Sequence, residues 1–488
     1  MVELLQVLRG WHSSRDAATA MSDDNTLLTR GDLAARVAGL AEDFRELPQV
    51  IGLLGADGTD WAIAQLAAWA ASKTVVPLPT FFSLPQLEHV IRDAGVDHVV
   101  ATSDASALGS SLGIGMTPLS ERRADAFPAP TPGAGVIVYT SGSTGRPKGV
   151  RLSLEQIDWQ ARALAAAIEA RPDDFHLSVL PLSLLLETIA GICVPLLTGA
   201  RTHFASAIGH SVGTGRPADL LGEFERRRPT TTVLVPQLLS TWIAQLEAGG
   251  KRPPTSLRFV AVGGAPVSDA LAARAWDLGI PVHEGYGLTE CCSVVAVNRP
   301  GRRKAGTVGA PLPGIDVRIE DGEVVVSGPT VMKGYLHAAR VEEPWRTGDL
   351  GRLDQDGFLL VTGRKDTLLV TSSGRNISPE WVEAMVLSDP RIGACVVLGH
   401  GMSHLSVLLI PSSLGERWLL ESPRAHILLW LAQVCIDAPA YAVPKEFVVC
   451  PARQAKQLGL LTSNGRVVRH AANSAYPALK LARPPVAA

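Results

Sequence analysis

Short apolar runs, Val50 to Leu54, Val99 to Ala101 and Val136 to Tyr139, alternate in the first part of the chain with stretches of helical periodicity, Asp60 to Ala71 and Leu84 to Asp93. A strand that is apolar on both faces must be covered on both faces, and a helix following each strand supplies that cover. The alternation therefore predicts an α/β fold with mostly parallel strands. At 488 residues the chain exceeds one ordinary core, so a large domain and at least one smaller one are expected.

The stretch Leu177 to Ala200 is almost wholly apolar and about long enough to cross a bilayer. Pro181, Glu187, Gly191 and Pro195 interrupt it, and an unpaired glutamate in hydrocarbon is costly. The expectation is a buried strand followed by a core helix, with no integral membrane span. A net charge of −2 makes no field that would gather a polyanion, which argues against nucleic acid as a partner. The six cysteines show no CxxC spacing, so neither a zinc site nor a disulfide scaffold is indicated and a reducing compartment is expected. Met1 to Arg9 lacks a basic region followed by a long apolar core, and a cytoplasmic location follows as an expectation.

Farther on, Val317 to Ile319, Glu323 to Val326 and Phe358 to Val361 read as strands separated by turn signals, among them Asp321-Gly322 and Asp356-Gly357. These predict a hairpin-rich β subdomain. From Lys365 to the end there are 12 basic and 8 acidic residues, against a negative remainder, which places a domain boundary near Arg364. The division is 1–364 and 365–488. Ser378-Pro379-Glu380 has the form of a helix start, with a capping serine, proline at the first position and an acid in the first turn.

The segment Tyr139-Thr-Ser-Gly-Ser-Thr-Gly-Arg-Pro-Lys-Gly-Val150 carries the most chemistry. Its glycines let the backbone bend close to an anion, its hydroxyls donate to phosphate oxygens, and Lys148 adds a positive charge. Thr140, Ser141, Gly142, Ser143, Thr144 and Gly145 are thus expected to hold phosphates. A kinase-type P-loop needs G-x-x-x-x-G-K-[ST], which Gly142 to Gly149 breaks.

On these residues, and on Gly263 to Val267, Glu284 to Glu290, Arg346 to Gly351, Gly363 to Asp366 and Ser373 to Glu380 in that order, the chain resembles the adenylate-forming superfamily of acyl-CoA synthetases, luciferases and peptide-synthetase adenylation domains. The resemblance spans nearly the whole chain. It implies a large N-terminal domain of mixed αβ sheet layers with a β-rich subdomain, then a small mobile α+β C-terminal domain. It implies ATP, Mg²⁺ and a thiol, either coenzyme A or a carrier-protein phosphopantetheine. Tyr286 looks like the adenine-stacking residue, with Glu284, Gly285, Gly287, Thr289, Gly264 and Ala265 around the nucleotide. Glu290 looks like the magnesium carboxylate, with Thr144 beside it, and Asp349 and Arg364 like the ribose contacts. Asp366 resembles the hinge, and Gly374 is expected to give backbone access to the thiol channel.

Two positions depart from the family's pattern. Arg466 stands where a catalytic lysine is usual; arginine keeps the charge but is planar and bulkier, and it is expected to act in the lysine's place. Leu184 stands where a histidine often borders the acyl carboxylate, which makes the pocket more apolar. Leu184, Leu185, Gly263 and Cys291 are expected to line that pocket. Cys291-Cys292 has no histidine base at recognisable spacing, and His176, His203 and His283 are expected to be structural.

The expected activity is ATP-dependent conversion of a carboxylic acid, a fatty acid first, to an acyl adenylate and then to a coenzyme A thioester. An aryl acid, an acyl carrier protein as acceptor, and a non-catalytic nucleotide-binding relative stay open as alternatives.

Overall fold

The computed structural model describes residues 2–102, 105–129, 132–140, 147–213, 218–338, 341, 344–372, 374–461 and 467–481. The alternating pattern folds into two large sheets. In the six-stranded sheet the order is Gly115–Pro118, His98–Ala101, Val50–Gly55, Thr74–Pro79, Gly135–Thr140 and Lys148–Ser153, parallel except for the last pair. At the centre of the nine-stranded sheet, Arg201–Phe204, Phe175–Ser178, Thr231–Leu234, Phe259–Val262 and Val282–Leu288 lie side by side in parallel, and the antiparallel strand Ser293–Val297 follows. Helix Thr59–Ala70 is apolar all round and accordingly buried at every residue but Asp60.

The apolar stretch near residue 180 folds as its interruptions require. Phe175–Ser178 is a strand, and helical residues run from Leu185 to Thr198, with Thr188–Cys193 in a wider π-type turn. Among the described residues no helix is long and apolar enough to cross a membrane.

The turn signals after residue 310 produce an antiparallel four-stranded sheet, Asp316–Glu320, Glu323–Ser327, Trp345–Leu353 and Leu359–Arg364. Its first hairpin turns at Asp321 and Gly322, both with φ positive, at 51° and 78°, the backbone that a two-residue turn demands. The C-terminal region builds its own sheet from Ile392–Leu398, Ser406–Pro411 and Glu446–Val449, with helices Pro379–Val386 and Arg424–Val434 packed on it. It meets the first region where Gln237 Nε2 donates to the Gly393 carbonyl at 3.3 Å and the Ser240 hydroxyl to the Ser388 carbonyl at 3.1 Å.

Helix Pro379–Val386 begins where the sequence places it, but Ser378 does not cap it through its side chain. The Ser378 hydroxyl donates to Glu380 Oε2 at 3.1 Å instead, and the same side chain fills the space a Cβ would need at Gly363. Only glycine fits there, one residue before Arg364, with φ +150°.

Candidate active site

Strand Gly135–Thr140 and strand Lys148–Ser153 are paired through Thr140↔Lys148, so the two ends of the phosphate loop are fixed next to each other. The Tyr139 hydroxyl anchors this end of the sheet by donating to Asp93 Oδ2 at 2.6 Å. Ser141, Gly142, Ser143, Thr144, Gly145 and Arg466 lie outside the described residues.

Lys148 Nζ stands 5.4 Å from the centre of the Tyr335 ring, and the Tyr335 hydroxyl donates to Glu290 Oε1 at 2.8 Å. Tyr335 is there because residues 334 to 336 run along the second strand: Leu336 N donates to the Gly149 carbonyl at 2.7 Å and Arg151 N to Gly334 at 3.4 Å. Sequence reasoning passed over Tyr335. A glycine-tyrosine pair in a loop carries no chemical signature until the fold sets it between a lysine and a glutamate.

On the other side, the Tyr286 hydroxyl donates to Asp349 Oδ2 at 2.6 Å, and Arg364 Nη1 lies 3.4 Å from Asp349 Oδ1. Asp349 and Arg364 are direct cross-strand partners, which is why the pair meets. Burial raises the Asp349 carboxyl above its ordinary range, against the opposing pull of the Tyr286 hydroxyl and Arg364. Burial, with Asp349 beside it, also raises Tyr286, so its phenol stays protonated. Arg364 Nε further contacts Asp366 Oδ1 at 3.4 Å, and Lys365 N donates to the Gly348 carbonyl at 2.8 Å while its Nζ lies 3.3 Å from Glu323 Oε2. Residues 365 to 367 form an exposed turn directly after the last strand of the four-stranded sheet. Gly374 has φ +74° and open space where a Cβ would stand.

Between these clusters a cavity of about 230 Å³ runs into the nine-stranded sheet. Leu184, Leu185, Gly263 and Gly264 line it, as does the segment Gly285 to Thr289. Cys291 is buried and is not among the lining residues, Ala265 is exposed, and Glu284 turns to Asn298 Nδ2 at 3.1 Å and Arg303 at 3.5 Å. Burial pushes the Cys292 thiol far above its ordinary value, which removes its nucleophilicity. His203 and His283 are held neutral by burial, depressed to about 4. His176 differs from them, because it lines the cavity.

Among the described residues no group of three or more His, Cys, Asp and Glu could hold a metal ion. Glu290, which accepts from the Tyr335 hydroxyl, is a hard oxygen donor and suits an Mg²⁺ ion held mostly by the phosphates of a bound nucleotide.

A tyrosine-carboxylate-arginine cluster whose tyrosine lines an apolar cavity, together with the paired strand ends at Thr140 and Lys148, fits an adenylate-forming ligase. The chain belongs to the AMP-binding enzyme family, which residues 9–336 match, and residues 366–479 match the AMP-binding enzyme C-terminal domain. It is 31% identical over 414 residues to a feruloyl-CoA synthase of Amycolatopsis, covering 78% of this chain and 82% of that one. A 2-succinylbenzoate–CoA ligase of Bacillus licheniformis is 35% identical over 342 residues, 64% of this chain and 66% of that one. In fold it resembles an anthranilate CoA ligase solved with anthranoyl-AMP, with a TM-score of 0.81 at 19% identity over 97% of this chain and 96% of the other.

Proposed function

We propose that this enzyme activates an aromatic carboxylic acid with ATP and passes the acyl group to coenzyme A. The observation that carries the reading is the joint opening of two sites: the Tyr286–Asp349–Arg364 cluster and the apolar cavity share Tyr286. A cavity of about 150 Å³ accepts benzene, so about 230 Å³ suits a substituted ring. Gly263, Gly264, Gly285 and Gly287 along its wall leave a slot for a flat group. A flat acid is therefore favoured over the fatty acid expected first from the sequence, and the relatives named above carry the names of aromatic acyl groups.

In this reading Tyr286 stacks on adenine, while Asp349 and Arg364 hold the ribose. The loop from Thr140 to Gly145 and Lys148 hold the phosphates. Mg²⁺, when bound at Glu290 and Thr144, neutralises phosphate charge. A carboxylate oxygen attacks the α-phosphorus in line, the bond from that phosphorus to the bridging oxygen breaks, and pyrophosphate leaves with Lys148 and Arg466 balancing its charge. The C-terminal domain then turns about Asp366, bringing Gly374 to the channel through which the thiol enters. The thiol sulfur attacks the acyl carbon, loses its proton, and displaces AMP.

Acid-dependent ATP–pyrophosphate exchange, run over aryl, fatty and amino acids and repeated with coenzyme A, tests the reading. Exchange and thioester with aryl acids are expected. Exchange only with amino acids, or thioester only with a carrier protein, would overturn it. Arg466→Ala should lower the exchange rate; an unchanged rate removes that residue from the mechanism.

A further inference from the structure

The far end of the apolar cavity is not apolar. Thr231 lies in register with Phe259 on one neighbouring strand and with His176 on the other, so the three form a row across the sheet. Phe259 precedes Gly263 by four residues, which at about 3.3 Å per residue sets the row roughly 13 Å below that glycine. His176, Thr231 and Phe259 all line the cavity.

His176 is held on both nitrogens. Its Nδ1 is 3.1 Å from the Thr231 hydroxyl and its Nε2 is 3.4 Å from Glu187 Oε1. Glu187 is 0% exposed, and its second oxygen, Oε2, has no hydrogen-bond partner among the described residues. A carboxylate buried in this way weakens the fold unless something else makes use of it. The backbone is also shaped to admit it: Gly191, in the π-type turn, has its Cβ position 2.8 Å from Glu187 Oε1, so any larger residue would displace the carboxylate. Turns of this type concentrate at functional sites.

A carboxylate that accepts from His176 sets the direction of the chain of bonds. Nε2–H of His176 donates to Glu187, which leaves Nδ1 as an acceptor for the Thr231 hydroxyl proton. Thr231 Oγ1 then offers its lone pairs to the cavity. We infer that Glu187, His176 and Thr231 form a specificity relay that selects, as substrate, a carboxylic acid carrying a hydroxyl group at the end remote from its carboxylate. Thr231 accepts the hydroxyl proton, and His176 and Glu187 are positioning residues that keep it an acceptor. No bond is made or broken in this step. The inference rests on the acid-activating reading above and adds a substrate class to it.

The test uses the full-length enzyme and three acids of increasing length, benzoate, cinnamate and biphenyl-4-carboxylate, each plain, with a terminal hydroxyl, or with that hydroxyl as its methyl ether. At the length that reaches the row, kcat/KM for ATP–pyrophosphate exchange should be at least about tenfold higher for the hydroxy acid than for either the plain acid or the ether, since a site built to bond a hydroxyl rejects analogues lacking it. In Thr231→Val, which keeps the shape and removes the acceptor, that ratio should fall to about one. Glu187→Gln, which removes the charge that fixes the tautomer, should narrow it at least threefold. Because the readout is a ratio between acids on one protein, loss of stability alone does not move it. Turnover of plain acids with no hydroxyl advantage at any length overturns the relay and leaves the ligase reading intact. An equal advantage for the ether, or a ratio unchanged in Thr231→Val, does the same. Absence of exchange with all nine acids overturns both.

Discussion

The mouth and the floor of the cavity handle polar groups in opposite ways. At the mouth Asp349 receives the Tyr286 hydroxyl and the Arg364 guanidinium, and Glu290 receives the Tyr335 hydroxyl. At the floor Glu187 is more deeply buried than either and leaves an oxygen without a partner among the described residues. In the proposed reading the groups at the mouth serve a nucleotide whose charges arrive with it, so internal partners can hold them in place until then. In the proposed reading the floor faces the tail of the acid, and the Thr231 hydroxyl on the cavity wall gains a partner only if the acid brings one. The contrast separates what every adenylate-forming reaction requires from what one substrate requires.

The largest effect that could break this contrast lies at the mouth. Lys148→Ala should reduce the rate of pyrophosphate exchange by about 10²–10³-fold, as loss of a charge-stabilising group in a closed site does. If Thr231→Val loses as much with every acid tested, mouth and floor are not separable. Next comes Gly191→Ala, whose methyl meets the Glu187 carboxylate and should destabilise the protein by about 1–3 kcal/mol in urea unfolding. A neutral result would mean that Glu187 is free to move and that the floor is not preorganised.

Asp349→Asn should raise the KM for ATP about tenfold while leaving the unliganded protein no less stable at pH 8. The sign follows from burial. The folded carboxyl titrates above its unfolded value, so its contribution to stability is present at low pH and is lost as pH rises through the folded value. The asparagine variant should therefore gain on the wild type as pH rises in thermal unfolding.

Tyr335→Phe, which removes one hydrogen bond to Glu290, should lower exchange by roughly three- to tenfold, about 1 kcal/mol, with the same order of preference among acids. A further effect belongs to neither end. His203 and His283, depressed to about 4 by burial, stay neutral where the unfolded chain already binds protons. Stability should be constant above about pH 6.5 and fall between there and about pH 4. Melting temperatures across that range, compared with those of His283→Phe, check the assignment.

How much could be read beforehand differs along the same line. Residues 284 to 290 and 346 to 351 could be singled out because their chemistry is local: several functional groups sit within one turn, and a motif fixes their order. The strand and helix near residue 180 were legible for a similar reason, since Pro181, Glu187 and Pro195 forbid one continuous span. Tyr335 was not, because its meaning lies in a glutamate 45 residues away. A lone imidazole in an apolar strand reads as structural by default, and nothing local to His176 signals that it lines a cavity.

The amino-acid sequence by itself determined the alternating α/β architecture and the adenylate-forming class, because hydrophobic period and clustered motifs act over a few residues. Tertiary structure alone decided which side chains share a cavity. The Thr231 hydroxyl reaches His176 across 55 residues and the Tyr286 hydroxyl reaches Asp349 across 63. Those meetings follow from strand order and register, which the packing of whole layers sets and no local pattern encodes.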